Sequence, residues 1–167
     1  IGLKDFVNGL HDEGVLEESG YSLDIKMHPN FECYENLLDF CYPEVNIVHG
    51  DIEESDYAIM VTDFSSYVYD FVYSGSKILY YVPDQQEFDA GVNQYSELDL
   101  PFDNGFGPHC TSAAEAIVEL RRLIALDLAG RDDPKYVKRK EGFFLHSDGM
   151  NADRLYKEVK KLTLSSQ

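Results

Sequence analysis

The sequence predicts an α/β fold, a doubly wound parallel sheet flanked by helices, on three observations. Short apolar runs at residues 45–48, 58–61 and 77–82 lack helical spacing and read as buried strands. The stretches between and after them repeat apolar residues at helical intervals instead. Polar or histidine-bearing turns follow strand after strand, at His28-Pro29, His49-Gly50, residues 62–66 and Pro83 onward. Strands that alternate with helices form parallel sheets, and such sheets bind ligands at the carboxyl ends of their strands. The polar turns therefore collect along one crevice.

Taken in order, residues 1–19 place Leu3, Phe6, Val7 and Leu10 on one face and predict an amphipathic helix with no strand before it. Residues 21–27 alternate, with Leu23, Ile25 and Met27 on one side, and stop at His28-Pro29, because proline cannot donate to a ladder. Residues 31–40 predict a helix burying Tyr34, Leu37, Leu38 and Cys41, and residues 45–48 a short strand. Residues 51–55 read as a turn or a short helix. The strand at 58–61 is interrupted by Thr62, Asp63, Phe64, Ser65 and Ser66, after which Val68, Phe71 and Val72 recur at helical spacing up to Gly75. A strand at 77–82 opens with Lys77 and closes at Pro83.

Residues 84–109 contain Gly91, Pro101, Gly105, Gly107 and Pro108 and read as one long irregular segment. Ser112 and Glu115 match a capping box ahead of a helix carrying Ile117, Leu120, Leu123 and Ile124. Residues 134–140 form a polar helix, and residues 151–162, with Leu155, Val159 and Leu162, the last one before a frayed serine-rich tail. The unit at 58–75 organises the rest: strand, polar turn, helix. Unpaired N–H groups and the positive dipole end at such a turn attract anions, and two serines add hydroxyl donors.

At 167 residues, 44% of them hydrophobic, the chain has room for one domain with a real core, spanning 1–167. Its 31 acidic against 14 basic residues give a net charge of −17, whose summed field repels nucleic acid and an anionic membrane surface. No nucleic-acid partner and no direct membrane contact are expected. A phosphorylated small molecule is still compatible, since salt screens the long-range field within about 8 Å. Cys33, Cys41 and Cys110 form no CxxC pair, which argues against a disulfide framework or structural zinc and fits a reducing, cytoplasmic setting. His11, His49, His109 and His146 lack metal-ligand spacing and read as surface or capping residues; neither a metal nor a cofactor is expected. No apolar run approaches the roughly 20 residues that span a bilayer.

KMHPNF followed by VTDFSSYVYDF resembles the CDP-glycerol glycerophosphotransferase family, the teichoic-acid polymerases and primases. Members carry an R-x-HP motif and, a few dozen residues later, TDYSS with an aspartate four residues after the second serine. The matching positions here are Lys26, Met27, His28 and Pro29, then Thr62, Asp63, Phe64, Ser65 and Ser66, then Asp70. SGSKILYYVPD, GFGPH and HSDGMNADRLYKEV are similar to later family segments, so the resemblance runs in order through residues 21–162. It implies a Rossmann-like domain that is one half of a two-domain, glycosyltransferase-type architecture, here the half that binds the donor nucleotide.

On that resemblance Lys26, Met27, His28, Thr62, Ser65, Ser66 and Asp70 contact CDP-glycerol or a similar CDP-polyol. The serines hold the diphosphate, Asp70 accepts from ribose hydroxyls, and His28 donates to the leaving phosphate as the expected catalytic residue. Lysine in place of arginine at 26 keeps a charge and loses bidentate geometry. A polyol-phosphate polymer acceptor and the general base are expected in the other half, with this chain a truncated piece inactive alone. The full-length protein is expected at the cytoplasmic face of the membrane.

Without the resemblance the same residues have plainer readings. Ser65 is then an ordinary N-cap, Asp70 a solvated helix face, and Lys26 an exposed strand residue. Two other functions compete. A UDP-sugar glycosyltransferase or epimerase donor domain also seats a diphosphate at a helix start, but favours a glycine-rich turn. A phospho-receiver module would use Asp63 as acceptor and needs an acidic pair that the His28-Pro29 strand end does not supply.

Overall fold

The computed structural model describes residues 2–91, 98 and 100–164; the expected fraying of the tail at 165–167 lies outside them. The chain runs α1 (Gly2–Asp12), α2 (Val15–Ser19), β1 (Leu23–Ile25), a 3₁₀ turn (Pro29–Leu37), β2 (Val45–Ile47), a 3₁₀ turn (Glu54–Asp56), β3 (Ile59–Thr62) and α3 (Val68–Ser74). Next come β4 (Lys77–Tyr81), α4 (Gln85–Asp89), a 3₁₀ turn (Phe102–Asn104), β5 (His109–Cys110), α5 (Ala113–Leu128), α6 (Pro134–Phe143) and α7 (Asn151–Leu164). Every strand pairing is parallel, in the order β1-β2 and β3-β4-β5. The expected sheet is thus present as two separate hydrogen-bonded ladders, with β5 a strand that the irregular reading of 84–109 had not anticipated.

Strand β4 shows why both faces of the sheet are covered. Its residues 78–81 are all buried, and alternate side chains point opposite ways. Leu79 and Tyr81 join Phe6, Val7 and Leu10 of α1, Val15 and Leu16 of α2, and Ile117, Leu120, Leu123 and Ile124 of α5 on one face. Ile78 and Tyr80 join Val68, Phe71 and Val72 of α3 and Phe106 on the other. Ile25 of β1 sits in the first of these clusters, with Leu23 and Val45 packed against it, so one core spans both ladders. Helices on both faces of parallel strands make this a doubly wound, Rossmann-like α/β fold.

Three elements differ from expectation. The helix at 1–19 breaks into two because Gly14 takes a left-handed conformation (φ 65°), which costs glycine little. Residues 31–40 do not form an α-helix with a buried stripe; they follow a 3₁₀ path in which Tyr34 and Leu37 are 55% and 59% exposed and Cys41 is also exposed. Of the expected stripe only Leu38 is partly buried, too little packing to reward the 3.6-residue repeat. Helix α7 forms, yet Leu155 and Leu162 are 67% and 70% exposed, so its apolar stripe is not in this core. Among the described residues no helix is long and apolar enough to cross a membrane.

At the amino end of β4, Lys77 does more than open the strand. Its ammonium donates to Asp127 at 2.8 Å and pairs with Asp132 at 3.1 Å, while the Tyr21 hydroxyl donates to the other Asp127 oxygen at 2.5 Å. Burial and the Asp127 carboxylate push the Tyr21 hydroxyl up to about 12. Lys77 is also raised, its two carboxylates outweighing the opposing effect of burial. Both groups hold their protons more tightly when folded, so their stabilisation is complete below pH ~10 and is lost as pH climbs toward 12. The melting temperature should fall across that window. Tyr21→Phe should shallow the alkaline slope, and a slope identical to wild type would remove Tyr21 from the account.

Candidate functional site

Because the strands within each ladder pair in parallel, their carboxyl ends lie on one side of it, and Lys26, Met27, His28, Thr62, Ser65 and Ser66 end or follow strands there. The chain leaves β3 at Thr62, whose register partner is Tyr80, and turns at once. Asp63 Oδ1 accepts the Ser65 N–H at 3.1 Å, and Ser65 Oγ accepts the Tyr67 N–H at 3.3 Å. Ser65 and Ser66 carbonyls then accept from Val68 and Tyr69, both at 3.2 Å, which winds the chain into α3. Both serine side chains are exposed, while Thr62 is half-buried. Position Tyr67, rather than Ser65, is the residue that immediately caps the helix; Ser65 instead closes the turn ahead of it.

Phe64 does not join that polar run. Its ring stacks on Phe88 of α4 with centroids 4.8 Å apart. Asp63 is exposed as a residue, yet burial of its carboxyl raises its pKa, and the nearby charge of Asp84 adds to this against the Ser65 N–H bond. Asp84 follows β4. The ends of β3 and β4 are therefore coupled by a ring stack and by like charge.

On the other ladder, β1 ends at Ile25 and delivers Lys26, Met27 and His28. Lys26 is exposed, and its ammonium donates to the Gly50 carbonyl beyond the end of β2. Met27 is half-buried. His28 is exposed and caps the 3₁₀ turn, its Nδ1 accepting the Asn30 N–H at 3.2 Å. In the tautomer that accepts at Nδ1, the ring proton sits on Nε2. The ladders are stitched by Asp24, which accepts from Asn46 at 2.9 Å and from the Tyr57 hydroxyl at 3.0 Å.

Asp70 lies in the first turn of α3 and is exposed. One position N-terminal to the helix, Tyr67 donates its hydroxyl to Glu54 at 2.5 Å and packs edge-on against Phe71. The Glu54 hydrogen bond, with burial, pushes the Tyr67 hydroxyl up to about 12. Sequence reasoning missed this pair and the Asp63–Asp84 proximity. Neither has a sequence signal, since each joins residues 13 to 21 positions apart through the packing of the strands. Of the other histidines, His11 stacks on Tyr42 and hydrogen-bonds Glu44 at 2.7 Å, and His49 pairs with Glu35 at 3.4 Å. Those two are surface residues, as expected.

Residues 49–161 match the family described as CDP-glycerol:poly(glycerophosphate) glycerophosphotransferase. The match contains Thr62, Ser65, Ser66 and Asp70, whereas Lys26, Met27 and His28 precede it. The minor teichoic acid biosynthesis protein GgaB of Bacillus subtilis (strain 168) is 24% identical over 167 aligned residues, covering 92% of this chain. The chain spans 17% of that relative's length. No solved structure matches.

Proposed function

This chain belongs to the CDP-glycerol:poly(glycerophosphate) glycerophosphotransferase family, and from that premise we propose that residues 1–167 form a single donor-binding domain. The donor is CDP-glycerol or a related CDP-polyol, and the acceptor a polyol-phosphate polymer of the teichoic-acid type. The observation that carries the reading is the 62–66 turn: two exposed serine hydroxyls at the carboxyl end of a parallel strand, inside the family match. Ligands of doubly wound folds bind on that side of the sheet.

In this reading the reaction joins an acceptor hydroxyl to the glycerol-bearing phosphorus of CDP-glycerol. The bond from that phosphorus to the bridging oxygen breaks, and CMP leaves with the bridging oxygen. Ser65 and Ser66 hold the diphosphate, whose charge rewards each hydroxyl donor. Asp70, one turn into α3, accepts from the ribose hydroxyls. His28 Nε2–H donates to the oxygen on which charge grows as CMP departs. Lys26, anchored on the Gly50 carbonyl, contributes a point charge rather than a forked clamp. The acceptor proton passes to a base outside these residues.

Calorimetric titration of the chain with CDP, CDP-glycerol and a UDP-sugar, all with EDTA present, tests the proposal. CDP and CDP-glycerol should bind, the UDP-sugar more weakly. Binding that appears only with magnesium, or a preference for the UDP-sugar, would reject this site.

A further inference from the structure

We infer that α4 is the buttress of the 62–66 turn, and that Phe88 is a positioning residue which sets the placement of Ser65 and Ser66 through its stack on Phe64. The inference deepens the proposed function and rests on it only for the identity of the ligand.

The two hydrogen bonds that shape the turn, from Ser65 N–H to Asp63 and from Tyr67 N–H to Ser65, each reach just two residues along the chain. Such bonds fix the local path and leave the turn's position over the sheet open. The position has to come from a contact that leaves the turn. Phe64 makes one: it lies between Asp63 and Ser65, the first bonded pair, and its ring stacks on Phe88 at 4.8 Å with planes 29° apart. Phe88 can serve as a fixed point. It is 7% exposed, and its backbone N–H donates to the Asp84 carbonyl at 3.1 Å, which ties it to the residue that follows the β4 end.

Like charge gives the buttress something to hold against. Asp84, just past the end of β4, lies near enough for its charge to act on the Asp63 carboxyl, so the ring stack holds the turn beside a like charge. The turn and α4 therefore behave as one body. Both serine hydroxyls ride on it, and a small displacement of a positioned donor is enough to weaken a charged hydrogen bond.

The test uses Phe64→Leu, Phe88→Leu and Phe88→Tyr in the whole chain. Leucine keeps the site apolar and removes the ring stack, while tyrosine retains it. In ligand-free protein, amide hydrogen exchange at Ser65 and Tyr67 should accelerate severalfold in both leucine variants, with the amides of Leu79 and Tyr80 unchanged. CDP should then bind about three- to tenfold more weakly, the range expected for loss of an aromatic pair. Phe88→Tyr should restore both readings. Wild-type exchange at Ser65 and Tyr67 in the leucine variants overturns the inference. Should Phe88→Leu fail to fold, Phe64→Leu, at a half-exposed position, decides alone. Should CDP not bind wild type at all, the proposed function fails, and the exchange rates still judge the buttress.

Discussion

Replacing Gly107 with alanine is expected to cost upwards of about 3 kcal/mol and to lower the melting temperature by about 10 °C. A Cβ at this position would stand 1.8 Å from the Ile78 carbonyl oxygen and 2.5 Å from its carbon. Those are backbone atoms of β4, with Leu79 and Tyr80 buried beside them, so they cannot swing aside as the end of a side chain would. Relief requires β5 to move off β4. That movement breaks the 2.8 Å bond from Tyr80 N–H to the Pro108 carbonyl and lifts Phe106 from the α3 face. Gly142→Ala supplies the control. Nothing lies within 4 Å of a Cβ there, and alanine within α6 should stabilise by about 0.5–1 kcal/mol. Thermal melting followed by circular dichroism reads both, and a Gly107→Ala midpoint within about 2 °C of wild type would refute the close-approach account.

Ser66→Ala should leave the melting temperature unchanged and weaken CDP about ten- to a hundredfold, the loss expected when one hydroxyl stops donating to a charged group. Ser65→Ala should weaken CDP by a similar factor and also cost on the order of 1 kcal/mol of stability, because Ser65 Oγ accepts the Tyr67 N–H that leads into α3. The contrast separates two roles that a single substitution would blur. Ser66 engages the turn through its backbone carbonyl, bonded to Tyr69 N–H at 3.2 Å, and that bond survives truncation. Stability therefore reports the turn, and affinity reports the ligand. Unchanged CDP affinity in Ser66→Ala, with the fold intact, would return the serine pair to a purely structural role.

What the sequence made legible was whatever a short window encodes. The strand at Ile59–Thr62, the helix ending at Gly75, the strand opening at Lys77 and the Ser112 cap, whose Oγ accepts Glu115 N–H at 3.3 Å, each depend on neighbours within about four residues. Residues 31–40 failed the same treatment because Tyr34 and Leu37 fit a helical stripe equally well whether or not a core is available to receive it. Strand β5, two residues long, is too short for any period to show; it exists because Gly107 lets the chain come against β4. At the candidate site, the motif positions were readable while their supports were not. The Phe64–Phe88 stack joins residues 24 apart, and the Glu54–Tyr67 bond appears only once Glu54–Asp56 packs on α3.

The division of the strands into two ladders bears on how a ligand would come and go. The β3-β4-β5 ladder is anchored by a strand buried along residues 78–81, whereas in the three-rung β1-β2 ladder only Ile25 is buried. Local opening is cheapest where the fewest apolar groups must be rehydrated, so amide exchange is expected to be faster in β1 and β2 than in β4. On the proposed function, the two ladders would then contribute unequally to holding a donor. A ligand that engaged both would lose part of its binding energy as entropy in ordering the less buried ladder.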